Sequence, residues 1–262
     1  MPMKTKTFIL AIVGVTVAGM VAFAAPGQRF GTDVFHFHVQ SALVDQGVEP
    51  GADGVVRGLH DRQGQADIQK FDIMVSGLTP TTPYEVDALI DGNSDFVPVD
   101  AFVTDANGAA ALHYQKIINN HGASQANGRG KRALPGAMDP VNMVIGIAIV
   151  NTNVQPVLAA DLLNPDHLQV QIKRDISSDQ VPALLTIHGN DTRATVKIAA
   201  SNLVPNSTYA LAVNNTILAT NNASAGGRLS IDTQMTSQDL LHVFSVTLLD
   251  DTGANVVGTM LP

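Results

Sequence analysis

The sequence predicts an all-β protein: two tandem β-sandwich modules behind an N-terminal signal peptide. Three observations lead there. Short runs alternate apolar and polar residues, and the gaps between them are rich in Gly, Asn, Asp, Pro and Thr, which is the pattern of half-buried strands joined by turns. One phrase is written twice, GLTPTTPYEVDALIDG at 77–92 and NLVPNSTYALAVNN at 202–215, so that Leu78, Pro80 and Tyr84 recur as Leu203, Pro205 and Tyr209, 125 residues later. The N-terminus reads MPMKTK and then FILAIVGVTVAGMVAFA, an uncharged run from Phe8 to Ala24.

Taken in chain order, residues 1–24 have the positive, apolar and small-residue succession of a cleaved secretory signal; the alternative is an uncleaved N-terminal anchor. A first module is expected over 31–163, with strands at 33–43, 54–61, 68–78, 84–91, 99–105, 110–116, 142–151 and 156–162. Asn107-Gly108 marks a tight turn because both residues tolerate positive φ. The polar, glycine-rich stretch 118–142 is expected to be a mobile surface loop. Asn164-Pro165 is the expected joint to a second module over 165–262, with strands at 167–175, 183–189, 194–203, 209–214, 227–233, 244–250 and 255–261. Phe71, Ile73 and Val75 precede Val196, Ile198 and Ala200 by the same 125 residues, all at period two, so the two sets share a register as duplicated units would.

In the repeated phrase, leucine plugs a core, proline stiffens a crossing between strands, and tyrosine packs its ring while its hydroxyl serves backbone that lacks a partner. Leu78, Pro80 and Tyr84, with Leu203, Pro205 and Tyr209, resemble the tyrosine corner of fibronectin type III and immunoglobulin-like modules. That resemblance implies a sandwich acting as spacer, adhesive unit or binding platform.

Composition bounds the partners. Loss of residues 1–24 removes Lys4 and Lys6, leaving 13 basic against 23 acidic residues and a formal charge of −10, so nucleic acid and anionic membrane surfaces are not expected partners. The chain has no cysteine, so packing alone must hold an exported protein together. With no tryptophan and with Tyr84, Tyr114 and Tyr209 as its only tyrosines, it offers little for stacking sugars.

Two constellations carry metal chemistry. Phe35-His36-Phe37-His38 places His36 and His38 on one side of a strand, where they could share copper or zinc with His60, His113 or His121 as third ligand. Asp91, Asn93 and Asp95 alternate like the oxygen ligands of a calcium loop, with Asp100 nearby, although Phe96 and Phe102 stand where a helix-flanked loop needs glycine and glutamate. Arg129, Lys131 and Arg132 form the basic cluster of the long loop, and Asn190, Asn206, Asn214 and Asn222 each open an N-x-Ser/Thr triplet. No serine elbow, zinc-protease helix, phosphate loop or cysteine nucleophile is written in the chain. The expectation is a secreted, periplasmic or cell-surface protein that is not an enzyme. It would be structural, adhesive or binding, with a protein partner or self-association through strand edges, beginning with 33–43. Copper or zinc binding at the histidine strand is the alternative.

Overall fold

In the computed structural model, which describes residues 33–119, 122–125, 130–236, 240–241, 243 and 245–261, the alternating runs become strands. The expected signal segment 1–24 and His121 lie outside the described residues. The strands are β1 (Val34–Asp45), β2 (Asp53–Gln63), β3 (Ala66–Ser76), β4 (Pro83–Ile90), β5 (Val97–Val103) and β6 (Ala110–Asn119). They continue with β7 (Gly122–Gln125), β8 (Lys131–Ala133), β9 (Val144–Val150), β10 (Pro156–Asp161), β11 (His167–Asp175) and β12 (Ala183–Asn190). The last are β13 (Ala194–Ala200), β14 (Thr208–Val213), β15 (Thr216–Asn222), β16 (Leu229–Met235), β17 (Ser245–Leu249) and β18 (Asn255–Met260). The fold is all-β and sandwich-like. Among the described residues no helix is long and apolar enough to cross a membrane.

The longest strand organises the rest. β1 pairs with β2 along Val34–Leu43, and its other flank is shared: Val34–Gln40 pair with β11, while Val44 and Asp45 pair with β10. Between these two partners the Ser41 hydroxyl donates to the Asp161 carbonyl at 3.2 Å and the Asp166 carboxylate accepts the Ala42 N–H at 2.6 Å, so the handover leaves few orphaned polar groups. Asn164 and Pro165 lie at this handover; Pro165 has no N–H for a ladder to miss. The strand expected to reach a neighbouring copy is therefore occupied on both flanks within its own chain.

One continuous sheet results, in the order β16-β13-β12-β11-β1-β2-β3-β6, with β7 and β8 added to β6. Its alternation gives it one apolar face throughout: Phe35, Phe37 and Val39 of β1 lie level with Ile172, Val170 and Leu168 of β11, all buried. Two smaller sheets, β10-β9-β4-β5 and β15-β14-β17-β18, cover that face and share one hydrophobic cluster with it. Phe71, Ile73, Ile147, Ile149, Leu185, Ile187, Ile198 and Leu211 are fully buried within it. Burial of each such side chain contributes about 1.5–3 kcal/mol.

The pairings of β1-β2-β3-β6 and of β10-β9-β4-β5 recur as β11-β12-β13-β16 and β18-β17-β14-β15. Each half crosses from one sheet to the other through the repeated phrase. Leu78 and Leu203 are buried there, whereas Pro80 and Pro205 ride on the surface. The Tyr84 hydroxyl accepts the Thr79 N–H at 3.1 Å, and the Tyr209 hydroxyl accepts the Val204 N–H at 3.0 Å. The leucine N–H groups donate to Gly108 and Gly227 at 3.1 and 3.0 Å. Both glycines have positive φ, +75° and +68°, and a Cβ on either would meet the opposing leucine carbonyl oxygen at 1.9 or 2.5 Å.

Two sequence expectations fail for identifiable reasons. The stretch 118–142 is not simply a surface loop: β6 extends into it, β8 pairs parallel to β6, and single 3-10 turns at Gly136–Met138 and Val141–Met143 bury Leu134, Met138 and Val141 against the first half's core. Its few apolar residues are spaced as plugs rather than as a period. β15 escaped notice because it is an edge strand with no buried residue until Ala223 beyond its end, so its sequence TILATNN carries no apolar alternation.

Replacing Tyr84 or Tyr209 by Phe is expected to cost about 1 kcal/mol through the lost hydrogen bond. Gly108→Ala and Gly227→Ala should cost about 2 kcal/mol or more, from left-handed backbone strain and the carbonyl clash. Gly136→Ala, with ordinary φ and open space around it, is the control. Denaturant melts of these variants check the ranking; equal melting of Gly108→Ala and Gly136→Ala would refute it.

Candidate functional site

The outer face of the continuous sheet collects histidines. His36, His38, His113, His167 and His188 occupy outward positions on four of its strands, β1, β6, β11 and β12, while His60 alone among the described histidines points into the core. Strand pairing explains the split: His36 is opposite Asp61, and Phe37 is opposite His60, so His60 shares the inner face with the phenylalanines. The expected ligand set of His36, His38 and His60 is therefore not assembled, since the sheet stands between the pair and the third. Among the described residues no group of three or more His, Asp or Glu side chains is placed to hold a metal ion.

Four of the five outward histidines have a polar or ring neighbour of their own. His36 Nδ1 bonds the Asp61 carboxylate, His113 Nδ1 lies 2.7 Å from Asp72 Oδ1, and His167 Nδ1 lies 3.2 Å from Asp191 Oδ2. Among the described residues His38 has no carboxylate partner; its ring meets His167 edge-on, with centroids 5.6 Å apart. Burial pulls His38 below the ordinary histidine value, the positive charges of His167, His36 and Arg57 add to this, and Asp61 opposes it. The Asp191 carboxylate sits below its usual range because it accepts the Leu168 N–H, and His167 adds to this.

His60 belongs to the architecture. Its Nδ1 lies 2.7 Å from Asn142 Oδ1, its Nε2 stands 3.1 Å from Asp67 Oδ1 without hydrogen-bond geometry, and its ring packs edge-on against Phe35. Beside it Gln69 donates to Asp139 at 2.9 Å and accepts the Val141 N–H at 2.9 Å, so the inner polar groups tie down the segment that plugs the first half.

Asp91, Asn93 and Asp95 form the turn between β4 and β5. The Asp91 N–H donates to Met143 and the Asn93 N–H to Ile90, and Asp95 is engaged by the Ser94 hydroxyl at 2.8 Å. Asp100, their nearest candidate companion, is committed elsewhere, accepting from Tyr114 at 2.8 Å and from Arg132. Although burial works against its charge, those bonds hold the Asp100 carboxyl below its usual range. Arg132 is thus a structural tie, and Lys131 donates to Gln115 at 2.6 Å, while Arg129 lies outside the described residues. Asn206 and Asn214 adopt positive φ, 60° and 48°, which accounts for asparagine at those turns without any modification.

Sequence reading missed the seam where β1 meets β11, because its residues are more than a hundred positions apart. Two clefts open beside β11, the first at its N-terminal end and the second along the seam. One, of about 330 Å³, is lined by Leu163, Pro165, Leu168 and Leu241 with Asp191. The other, of about 270 Å³, is lined by Phe35, Ile172 and Leu261 together with Arg62, Lys173 and Arg174.

No protein-family model, no curated protein and no solved structure matches this chain.

His38 should titrate below 6.5 in the folded protein. Because it is harder to protonate folded than unfolded, it subtracts stability as pH falls through the ordinary value toward the lowered one. Histidine NMR titration checks this, and His167→Gln should move His38 back toward 6.5. A midpoint at or above the ordinary value would refute the cause given.

Proposed function

We propose that this is an exported, non-enzymatic protein whose two fibronectin III- or immunoglobulin-like modules, the products of a duplication, act as one rigid structural or binding element outside the cytoplasm. The observation that carries this reading is the β1–β11 ladder. Paired over Val34–Gln40, it joins the two halves in one continuous sheet with a broad polar outer face, which supports a display or adhesion role. The repeated pairing order and the two tyrosine hydroxyls on backbone N–H groups support kinship between the halves. The uncharged run after Lys4 and Lys6 supports export, to the cell surface, the periplasm or the medium.

A protein partner or a second copy would add to a free strand edge. β5 is blunted by Pro98, which cannot donate to a ladder, and the edge of β18 is engaged where Arg174 donates to the Met260 carbonyl at 2.7 Å. β16 pairs with β13 along one flank, and among the described residues its backbone is engaged beyond that ladder where the Ser230 carbonyl accepts the Asn221 amide at 2.9 Å.

Fractionation of the producing cell with N-terminal sequencing tests the reading. The expected result is protein outside the cytoplasm beginning at Ala25. Protein held in the cytosol with residues 1–24 intact would contradict it.

A further inference from the structure

The second cleft has the chemistry of a ligand site. Arg62 stands level with Phe35 across β1–β2, Phe35 stands level with Ile172 across β1–β11, and Lys173 stands level with Val34. Period two puts Arg62, Phe35, Ile172 and Arg174 on one face of the sheet and Lys173 on the other, so the neighbouring strands deliver two guanidinium groups to one opening whose floor is the apolar edge of the core. Arg62, Lys173 and Arg174 are all partly buried. None of the three has a carboxylate within 4 Å among the described residues, although His36, His60, His113, His167, Lys116 and Arg132 do. Arg174 donates one bond to the Met260 carbonyl at 2.7 Å and keeps its remaining donors. Among the described residues Asp33 is the only carboxylate lining the cleft, and its Oδ1 already accepts the Asp175 N–H at 3.1 Å.

Two partly buried guanidinium groups that repel each other and have no carboxylate ion pair among the described residues are costly to keep. Burial pulls Arg174 below the usual arginine range, Asp33 offsets this, and Arg62 adds to it. An anion between the two guanidinium groups would relieve both effects through paired hydrogen bonds.

We infer that this cleft binds a small organic anion, its carboxylate held by Arg62 and Arg174 and its apolar part resting on Phe35, Ile172 and Leu261. A volume of about 270 Å³ is that of roughly nine waters, enough for an acid of six or seven carbons. The apolar floor distinguishes such a ligand from a bare inorganic anion, which would leave that surface wet. The site stands apart from the proposed export and display role and does not depend on it.

Calorimetric titration of the folded chain with hexanoate, hexanol and inorganic phosphate tests the site, using Arg62→Gln, Arg174→Gln and the remote, exposed Arg228→Gln. Saturable hexanoate binding is expected, at least tenfold weaker in Arg62→Gln and Arg174→Gln, unchanged in Arg228→Gln, and absent for hexanol. Among the described residues Arg62 makes no hydrogen bond to the C-terminal strand, so Arg62→Gln, with melting unchanged, keeps the test valid if Arg174→Gln is destabilised. Absence of saturable hexanoate binding, equal affinity in Arg62→Gln and Arg228→Gln, or tighter binding of phosphate than of hexanoate would each overturn the inference.

Discussion

Everything in this molecule is arranged around one strand that satisfies three partners. β1 gives one flank to β2 and divides the other between β11 and β10. Exposed ladder groups attract foreign strands, and a strand of this length left with one open flank would be a site of aggregation. Here the open flank is closed from within the chain, by the last strand of one half and the first of the other laid end to end. The joint at Asn164-Pro165 is short because those two strands run on along the same side of β1.

That constraint fixes the rest by parity. Once Phe35, Phe37 and Val39 face the core, Val170 and Leu168 must face it too, and both smaller sheets have to cover the same side. The opposite side becomes a continuous polar surface, which is why histidines far apart in sequence share it. Where each half turns from one sheet to the other, a tyrosine hydroxyl and a glycine carbonyl serve the backbone of the crossing. No cysteine assists. The first half differs in adding Glu49, which accepts from the Tyr84 hydroxyl at 2.6 Å, and in the plug of Met138 and Val141.

Strand positions were legible because alternation is a local signal, and the corner was legible because its chemistry lies within seven consecutive residues. β15 was illegible because an edge strand with no fully buried residue, only Leu218 and Ala219 partly covered, has no apolar period to read. His60 looked like a companion of His36 and His38 only because sequence does not state which residue of β2 stands opposite Phe37; that register places it on the other face. The Asp91 to Asp95 turn kept its place, but Asp100 was claimed by Tyr114 and by Arg132 from a stretch that looked loop-like. The Arg62 and Arg174 cleft was invisible for the same reason as the seam itself: only the pairing of β1 with β11 brings those side chains together.

Native-state hydrogen exchange of the seam tests the central claim most directly. If β1 and β11 form one ladder, the amides that Val34–Gln40 and His167–Lys173 direct at each other should exchange as slowly as those between β1 and β2, and only through global unfolding. Exchange at the seam within minutes, while the β1–β2 and β11–β12 amides remain protected, would mean that the halves part readily and that the single continuous sheet is not the organising element.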